Sequence, residues 1–283
     1  MKKLEFTIDI NAPAEKVWYS LWDEENYKNW TNAFCEGSYV VTDYKEGSKA
    51  HFLSPSGEGM FSSVSINKPF EIMSFNHIGI LKNFEEQPID DETKLWSGCE
   101  ERYELVENNG KTTVKASVDV IDQHVDYFDE SFPNGLKKLK EIAENPSVKS
   151  ISIYISVNAP IEKVWDYWTN PKHIVNWNNA SDDWHTPSAK NDLKVGGTFI
   201  CTMAAKDGSM SFDFEGKYSE IDTYKKIVYQ IADGRNVSIT FNIIDEKVII
   251  TETFEPETEN SLELQRGGWQ AILTNFKKYT ENN

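Results

Sequence analysis

The chain has 283 residues, of which 39% are hydrophobic and 13% aromatic, and its formal net charge is −17. This apolar content is enough for globular cores, which excludes a disordered protein, and the length suits two domains. The acidic balance, with no basic stripe, disfavours nucleic-acid binding and attachment to an anionic membrane surface.

The compartment is predicted from the cysteines and the first residues. Cys35, Cys99 and Cys201 are odd in number and scattered, as expected of reduced thiols in the cytoplasm. The first residues lack the apolar run of a signal peptide, and no segment approaches the roughly 20 apolar residues of a membrane span. We therefore expect a cytoplasmic protein without a membrane span.

A segment at the start of the chain recurs halfway along it. Residues 8–30 and 155–177, aligned without gaps, agree at ten of 23 positions, including two tryptophans. A period of half the chain indicates tandem domains rather than a solenoid. We expect a first domain over 1–145 and a second over 150–283, with Asn145-Pro146-Ser147 as the linker.

Both copies begin with the same two kinds of element. Apolar residues alternate with polar ones over 4–10 and 151–157, which predicts a half-buried strand. Pro13 and Pro160 then suit the first turn of a helix, because a proline there loses no hydrogen bond. A second short helix is expected to end near Trp30 in one copy and near Trp177 in the other.

The middle of each copy is predicted to be a run of antiparallel strands. In the first copy we expect strands near 36–42, 48–54, 58–67, 70–80, 96–106 and 111–120. In the second copy we expect them near 197–205, 209–221, 226–231, 236–244 and 247–254. The acidic stretch 81–95 is interpreted as a long exposed loop.

Each copy ends in a long amphipathic helix. Pro133-Asn134-Gly135 predicts a kink or a new helix start in the first of these helices. Gly267-Gly268 weakens the second helix and is expected to admit a close backbone approach. The meander must curl, and the helix must bury its apolar stripe against the concave face, which leaves a cavity unless large side chains fill it.

The predicted fold class is therefore α+β. We expect two tandem domains, each a curved antiparallel sheet wrapped around a long C-terminal helix, with two short helices after the first strand.

Large side chains are the candidates to line the two cavities, and ordinary core packing is the alternative for each of them. In the second copy the candidates are Trp168, Trp177, Trp184, Phe199, Met203, Met210, Phe212, Phe214, Tyr229, Phe241 and Trp269. In the first copy they are Trp22, Trp30, Phe52, Met60, Phe75, Trp96 and Phe128.

Polar candidates are restricted to two predicted strands of the first copy. His77 alternates with Phe75, and Glu100 shares a face with Trp96 and Arg102. A His and a Glu that reach one cavity could polarise a carbonyl or move a proton. The simpler interpretation, which we favour, places them on the solvent face or pairs them with each other.

No motif predicts a catalytic, metal or cofactor site. The sequence lacks the spacings of metal ligands, and the densest candidate, Asp182-Asp183-Trp184-His185, is interpreted as a polar loop. No Gly-x-Ser-x-Gly occurs, and Gly196-Gly197 precedes a strand rather than a helix, which disfavours nucleotide binding. We assign no catalytic residue, metal or cofactor, and an enzyme is the less favoured interpretation.

The second copy resembles a known family. The resemblance rests on Asn158-Ala-Pro-x-Glu-Lys-Val-Trp165, Gly196-Gly-Thr-Phe199, Gly216-Lys-Tyr-Ser-Glu-Ile221, Thr253-Phe-Glu255 and Gly267-Gly-Trp-Gln-Ala-Ile-Leu273. These motifs are similar to the activator of heat-shock-protein-ninety ATPase homologues, within the START/birch-pollen-allergen (SRPBCC) helix-grip superfamily. The first copy is assigned to the same superfamily by the repeat and the element order.

The resemblance implies a helix-grip fold with a hydrophobic cavity. Members of the superfamily bind lipids, sterols or polyketides, and some are cyclases or hydrolases. The favoured function is therefore binding of a small hydrophobic ligand between sheet and helix. The alternatives are a co-chaperone that regulates a heat-shock ATPase, and a cyclase or hydrolase that uses polar cavity residues. We expect one working pocket and one that has diverged.

Overall fold

The computed structural model describes residues 1–145 and 149–283. The chain divides into two compact units, Met1–Val148 and Lys149–Asn283. Pro146 and Ser147 of the predicted linker lie outside the described residues. Within the described ranges, no helix is both long and apolar enough to cross a membrane.

The first unit is one antiparallel sheet with three helices. Its strands are β1 (Lys2–Ile10), β2 (Tyr39–Val41), β3 (Lys49–Leu53), β4 (Gly59–Lys68), β5 (Ile72–Lys82), β6 (Glu85–Glu86), β7 (Glu100–Asn108) and β8 (Lys111–Val120). Its helices are α1 (Ala14–Trp22), α2 (Glu24–Thr31) and α3 (Val125–Glu144), with short 3₁₀ turns at Thr93–Leu95 and Asp122–His124. The strand order is β1-β8-β7-β5-β4-β3-β2, and β6 pairs with β5.

The second unit repeats this plan. Its strands are β9 (Ile151–Val157), β10 (Trp184–Asn191), β11 (Thr198–Ala205), β12 (Ser211–Asp222), β13 (Lys226–Ile231), β14 (Asn236–Ile244) and β15 (Lys247–Phe254). Its helices are α4 (Ile161–Thr169), α5 (Pro171–Trp177) and α6 (Leu262–Asn282). The strand order is β10-β11-β12-β13-β14-β15-β9, which matches the first sheet element by element.

The predicted fold class is confirmed. Each unit is a curled antiparallel sheet with two short helices after the first strand and a long helix at the end, which is the helix-grip arrangement. The long helices α3 and α6 pack along β1 and β9. Fully buried Phe132, Leu139 and Phe276 seat these helices on their sheets.

Three local predictions need correction. The helix α3 runs through Pro133 without a new start, because Phe132 and Leu136 on either side are both held in the core. The predicted exposed loop 81–95 contains the end of β5, the short β6 and a 3₁₀ turn in which Thr93 is buried. The segment at His185 is part of β10 rather than a loop.

A fourth correction concerns Gly267 and Gly268 in α6. A Cβ atom added at either position would meet nothing within 4 Å, so no backbone approaches closely there. Close packing occurs instead at Gly135 of α3, where a Cβ atom would lie 2.9 Å from the Phe34 ring.

Candidate functional site

The first unit contains a cavity of about 770 Å³ between its sheet and α3. This volume lies within the range of about 300–1,000 Å³ that is typical of small-molecule sites. Its aromatic wall consists of Tyr27, Trp30, Phe34, Tyr39, Phe52, Trp96, Tyr103, Tyr127, Phe128 and Phe132.

The two short helices hold one side of this cavity in place. The indole N–H of Trp30 on α2 donates to the carbonyl of Leu21 at 3.0 Å, which satisfies the only polar atom of a ring that is buried. Phe34 meets Phe132 of α3 edge to face at 5.0 Å. The wall between α2 and α3 is therefore made of interlocked rings rather than mobile side chains.

A chain of polar groups interrupts the apolar wall on the sheet side. The Ser62 hydroxyl lies 2.8 Å from His77 Nδ1, and His77 Nε2 lies 3.4 Å from Glu101 Oε2. The Tyr103 hydroxyl donates to Glu101 Oε1 at 2.5 Å. His77, Glu101 and Tyr103 line the cavity, whereas Ser62 is fully buried behind His77. Ser62 therefore positions the imidazole ring and does not itself meet the cavity.

The tyrosines beside Glu101 remain protonated at neutral pH. Burial, followed by the nearby Glu101 carboxylate, raises the pKa of Tyr103 and of Tyr27 well above the ordinary value. Both phenols are therefore hydrogen-bond donors, and Glu101 is an acceptor between Tyr103 and His77. Such a group can orient a ligand carbonyl or hydroxyl, or relay a proton.

The segment after β6 closes part of the rim. The backbone N–H of Thr93 bonds to the Asp90 carboxylate at 2.8 Å, and Thr93 and Trp96 lie on the cavity wall. The backbone N–H of His77 bonds to the carbonyl of Cys99 at 2.9 Å. This links the position of the imidazole to the end of the rim segment.

Of the large candidates in the first unit, Trp30, Phe52, Met60 and Phe128 line the cavity, whereas Trp22 is buried in the core. Four further candidates are placed differently from one another. His77 and Trp96 line the cavity. Phe75 is fully buried in the core and packs edge-on against Phe52 at 5.1 Å. Glu100 lies on the opposite face of β7, where it accepts a hydrogen bond from Ser74 at 2.7 Å, so its neighbour Glu101 replaces it at the cavity.

The second unit contains a smaller cavity of about 240 Å³ beneath α6. Its wall includes eight of the predicted residues: Trp168, Trp177, Phe199, Met203, Phe212, Phe214, Tyr229 and Trp269. Three candidates are elsewhere. Met210 is exposed, Trp184 is half-buried beside Phe212, and Phe241 is buried against Trp165 and Trp168.

Glu252 on β15 is the one acidic side chain in the described wall of this cavity, and sequence reasoning missed it. Only 6% of the surface of Glu252 is exposed, and this burial raises its pKa to about 8. Alternation along the strand could have identified this residue, because side chains two positions apart share a face. Glu252 lies two residues from Ile250 and two from Phe254, and both are in the core. An inward-facing carboxyl at this position was therefore predictable.

The two cavities have their polar groups at different positions of two sheets that share the same strand register. The register pairs Ile8 with Val114 and Ile155 with Ile250, so Ala116 occupies in the first unit the place of Glu252 in the second. The pairs Tyr103–Ala116 and Ile239–Glu252 place an isoleucine where the first unit has Tyr103. The second unit therefore lacks the first unit's polar chain, and the first lacks a counterpart of Glu252.

Among the described residues, no three His, Cys, Asp or Glu side chains cluster as metal ligands. The three cysteines are free, with Cys35 exposed and the other two buried.

Comparison with known proteins gives a family match within the second unit. Residues 158–281 match the family described as Activator of Hsp90 ATPase homolog 1-like protein. An AHSA1-like protein from Aeromonas hydrophila is 41% identical over 46% of this chain and 92% of its own, with a TM-score of 0.44. The protein Chr148 from Cytophaga hutchinsonii is 56% identical over 47% of this chain and 92% of its own, with a TM-score of 0.43.

Other matches span nearly the whole chain. The di-domain ARO/CYC BexL from the BE-7585A biosynthetic pathway covers 100% of both chains at 15% identity and a TM-score of 0.42. No curated protein matches the chain. The chaperone-regulating role implied by the resemblance stays a prediction. Since residues 158–281 match this family, and an AHSA1-like relative that is 41% identical is covered over 92% of its own length, this chain belongs to the Activator of Hsp90 ATPase homolog 1-like family.

Proposed function

We propose that the first unit binds a small hydrophobic ligand in the cavity between its sheet and α3. The observation that carries this proposal is the cavity of about 770 Å³, whose wall includes ten aromatic side chains and, on the sheet side, the polar groups of His77 and Glu101. Burial of apolar ligand surface would supply about 25 cal/mol per Å² of driving force. The chemical class that fits is a lipid, sterol or polyketide-like molecule.

The polar side chains on the sheet side determine which end of such a ligand would lie against them. The Tyr103 and Tyr27 hydroxyls are donors, and Glu101 is an acceptor held between Tyr103 and His77. A ligand that carries a carbonyl or hydroxyl at one end of an apolar body could form further hydrogen bonds with these groups, whereas a pure hydrocarbon could not. We therefore expect oxygenated ligands to bind more tightly than hydrocarbons of equal size.

The test combines native mass spectrometry of the purified chain with thermal stabilisation by a library of fatty acids, sterols and aromatic polyketides. A co-purified mass or a ligand-dependent rise in Tm supports the proposal. Met60 lies on the cavity wall, so Met60→Trp should fill part of the space and abolish the rise. Lys115→Trp, on the exposed face of β8, is the matched control and should keep it. No stabilisation by any compound would contradict the proposal.

A second candidate function, acid–base catalysis, is favoured by one specific observation. Glu101 and His77 share one cavity wall, and Ser62 fixes the ring orientation. A carboxylate and an imidazole so placed could abstract a proton next to a ligand carbonyl and return it, as a cyclase requires. The hydroxyl beside His77 belongs to Ser62, which does not meet the cavity, and this argues against a covalent hydrolase mechanism that would use it.

Deuterium exchange tests this second function without a known substrate. The purified chain is incubated in heavy water with 2-acetylnaphthalene, and loss of the α-proton signal is followed by NMR. Catalysis predicts exchange above the buffer rate that Glu101→Gln removes. Glu100→Gln, one residue away on the opposite face of β7, should leave it unchanged. Equal exchange in both variants would exclude the mechanism.

A further inference from the structure

We propose that the cavity of the second unit is a separate site for an organic ammonium ion, with Glu252 as its counter-ion. The ligand class is a primary amine on a single aromatic ring or a short apolar chain. This site differs in chemistry from the one in the first unit, and the proposal does not rest on ligand binding there.

The first argument is the isolation of the Glu252 carboxyl. It lies on the cavity wall, and among the described residues it makes no hydrogen bond or ion pair. Its cross-strand neighbours on the two adjacent strands are Ile239 and Ile153. A buried polar group without a partner costs free energy, so a carboxyl here calls for a donor that the protein itself does not provide.

The second argument is the charge of the surroundings. The other titratable groups on the wall are the Tyr218 and Tyr229 hydroxyls and the Cys201 thiol, and burial raises the pKa of all three. None of the wall residues described is a Lys, Arg or His. The pKa of Glu252 is raised by burial alone, which shows that no neighbouring cation offsets the burial. An entering ammonium group would be the first positive charge near this carboxyl.

The third argument is the set of ring faces around the same space. Phe199 meets Tyr229 edge to face at 4.8 Å, and Trp269 stacks on Phe254 at 4.1 Å and meets Phe214 edge to face at 6.0 Å. Aromatic faces attract cations by about 0.5–2 kcal/mol each, most strongly where water is excluded. A carboxyl group on the same wall as these aromatic rings is suited to an ammonium ion, with which it can form an ion pair once it has released its proton.

The size of the cavity limits the ligand. At about 240 Å³ it lies below the range of about 300–1,000 Å³ of drug-sized sites. A one-ring arylalkylamine fits this space, and a sterol does not. Asn178 adds an amide to the wall, while Phe212, half-exposed, lies at the mouth.

The test compares 2-phenylethylamine with its neutral analogue 2-phenylethanol by isothermal titration calorimetry of the full chain. We expect the amine to bind about tenfold or more tightly than the alcohol, which corresponds to about 1.4 kcal/mol. Glu252→Gln should remove this preference and leave the alcohol within about twofold. Glu215→Gln, exposed on β12, and Glu101→Gln, in the first unit, should both retain it.

A second measurement on the wild-type chain does not depend on any variant. With a pKa of about 8, Glu252 is about 90% protonated at pH 7, and pairing with an ammonium ion must release that proton. Titrations in phosphate and in Tris should therefore report the release of about 0.9 protons per amine bound, and none for the alcohol. Equal affinity for amine and alcohol, or amine binding without proton release, would overturn the proposal. Loss of ligand binding in Met60→Trp would bear only on the first unit.

Discussion

Glu101 lines the cavity of the first unit and Glu252 that of the second, and their surroundings differ. Glu101 accepts a hydrogen bond from Tyr103 at 2.5 Å and lies 3.4 Å from the His77 ring. Glu252 has Ile239 and Ile153 as its cross-strand neighbours, and burial raises its pKa to about 8. A buried carboxyl without a partner takes up a proton, because burial disfavours its charged form.

Because Glu252 is isolated, its titration makes the free energy of unfolding depend on pH. Glu252 binds a proton in the folded state up to about pH 8, but in the unfolded chain only up to its ordinary pKa of 4.5. The folded state therefore holds more protons between pH 4.5 and 8, and stability falls as pH rises through that window. At about 1.4 kcal/mol per pKa unit, the loss amounts to a few kcal/mol by pH 8.5. Glu252→Gln cannot ionise and should escape this loss.

Urea denaturation at pH 5 and at pH 8.5 checks this prediction. Glu252→Gln and wild type should have similar free energies of unfolding at pH 5, and the variant should be more stable at pH 8.5. Glu215→Gln should follow the wild type at both values, since its side chain is exposed. A constant difference between Glu252→Gln and wild type at the two pH values would show that Glu252 does not titrate in this window.

The alternation of side chains along strands explains which of the site residues could be identified from the sequence. His77 and eight aromatic or methionine residues of the second unit were found, because they alternate with exposed residues along strands or share a helix face. Glu100 was chosen instead of Glu101 because the predicted strand placed Trp96 on the face of Glu100. The observed strand begins only at Glu100, after a turn at Gly98, so Trp96 gives no information on its parity.

At the scale of elements, the two long helices differ in what their glycines do. Gly135 lets α3 approach Trp30 and Phe34, whereas Gly267 on α6 is exposed and meets nothing within 4 Å. The sequence predicted the close approach at Gly267-Gly268 instead of at Gly135, because helix propensity is local whereas the approach of a ring from outside the helix is not. The same substitution should therefore have opposite effects at the two positions.

Gly267→Ala should raise the free energy of unfolding by about 0.5–1 kcal/mol, since alanine has the higher helix propensity and meets no obstacle. Gly135→Ala should lower it by about 1 kcal/mol, because a Cβ atom 2.9 Å from the Phe34 ring must displace it. Chemical denaturation of both variants measures the two values. Stabilisation by Gly135→Ala equal to that by Gly267→Ala would mean that Phe34 moves aside at no cost.

Some strands could be predicted from their own sequence, whereas another depends on pairing with a neighbouring strand. The last three strands of the second unit, β13, β14 and β15, have the bounds expected from alternation and turn residues. The edge strand β10 was missed because its residues are mostly polar and exposed, and it exists only by pairing with β11. Edge strands of this kind carry little periodicity of their own.

At the scale of the whole molecule, the duplication preserves the backbone plan and changes the cavities. Strand order and register are shared, while Tyr103 corresponds to Ile239 and Ala116 to Glu252. Inward positions of a sheet can exchange polar and apolar residues without a change of register, since the backbone pairing is independent of them. The repeat could be predicted from sequence, but the exchange required the register.

The second unit should fold without the first. The unit has its own sheet, with α6 covering one face, and a buried core. We expect the fragment 149–283 to show near-ultraviolet circular dichroism and one cooperative unfolding transition. The fragment 149–254, which lacks α6, leaves Phe254 and the cavity face uncovered and should show neither. A non-cooperative transition in 149–283 would mean that the unit needs the preceding residues to fold.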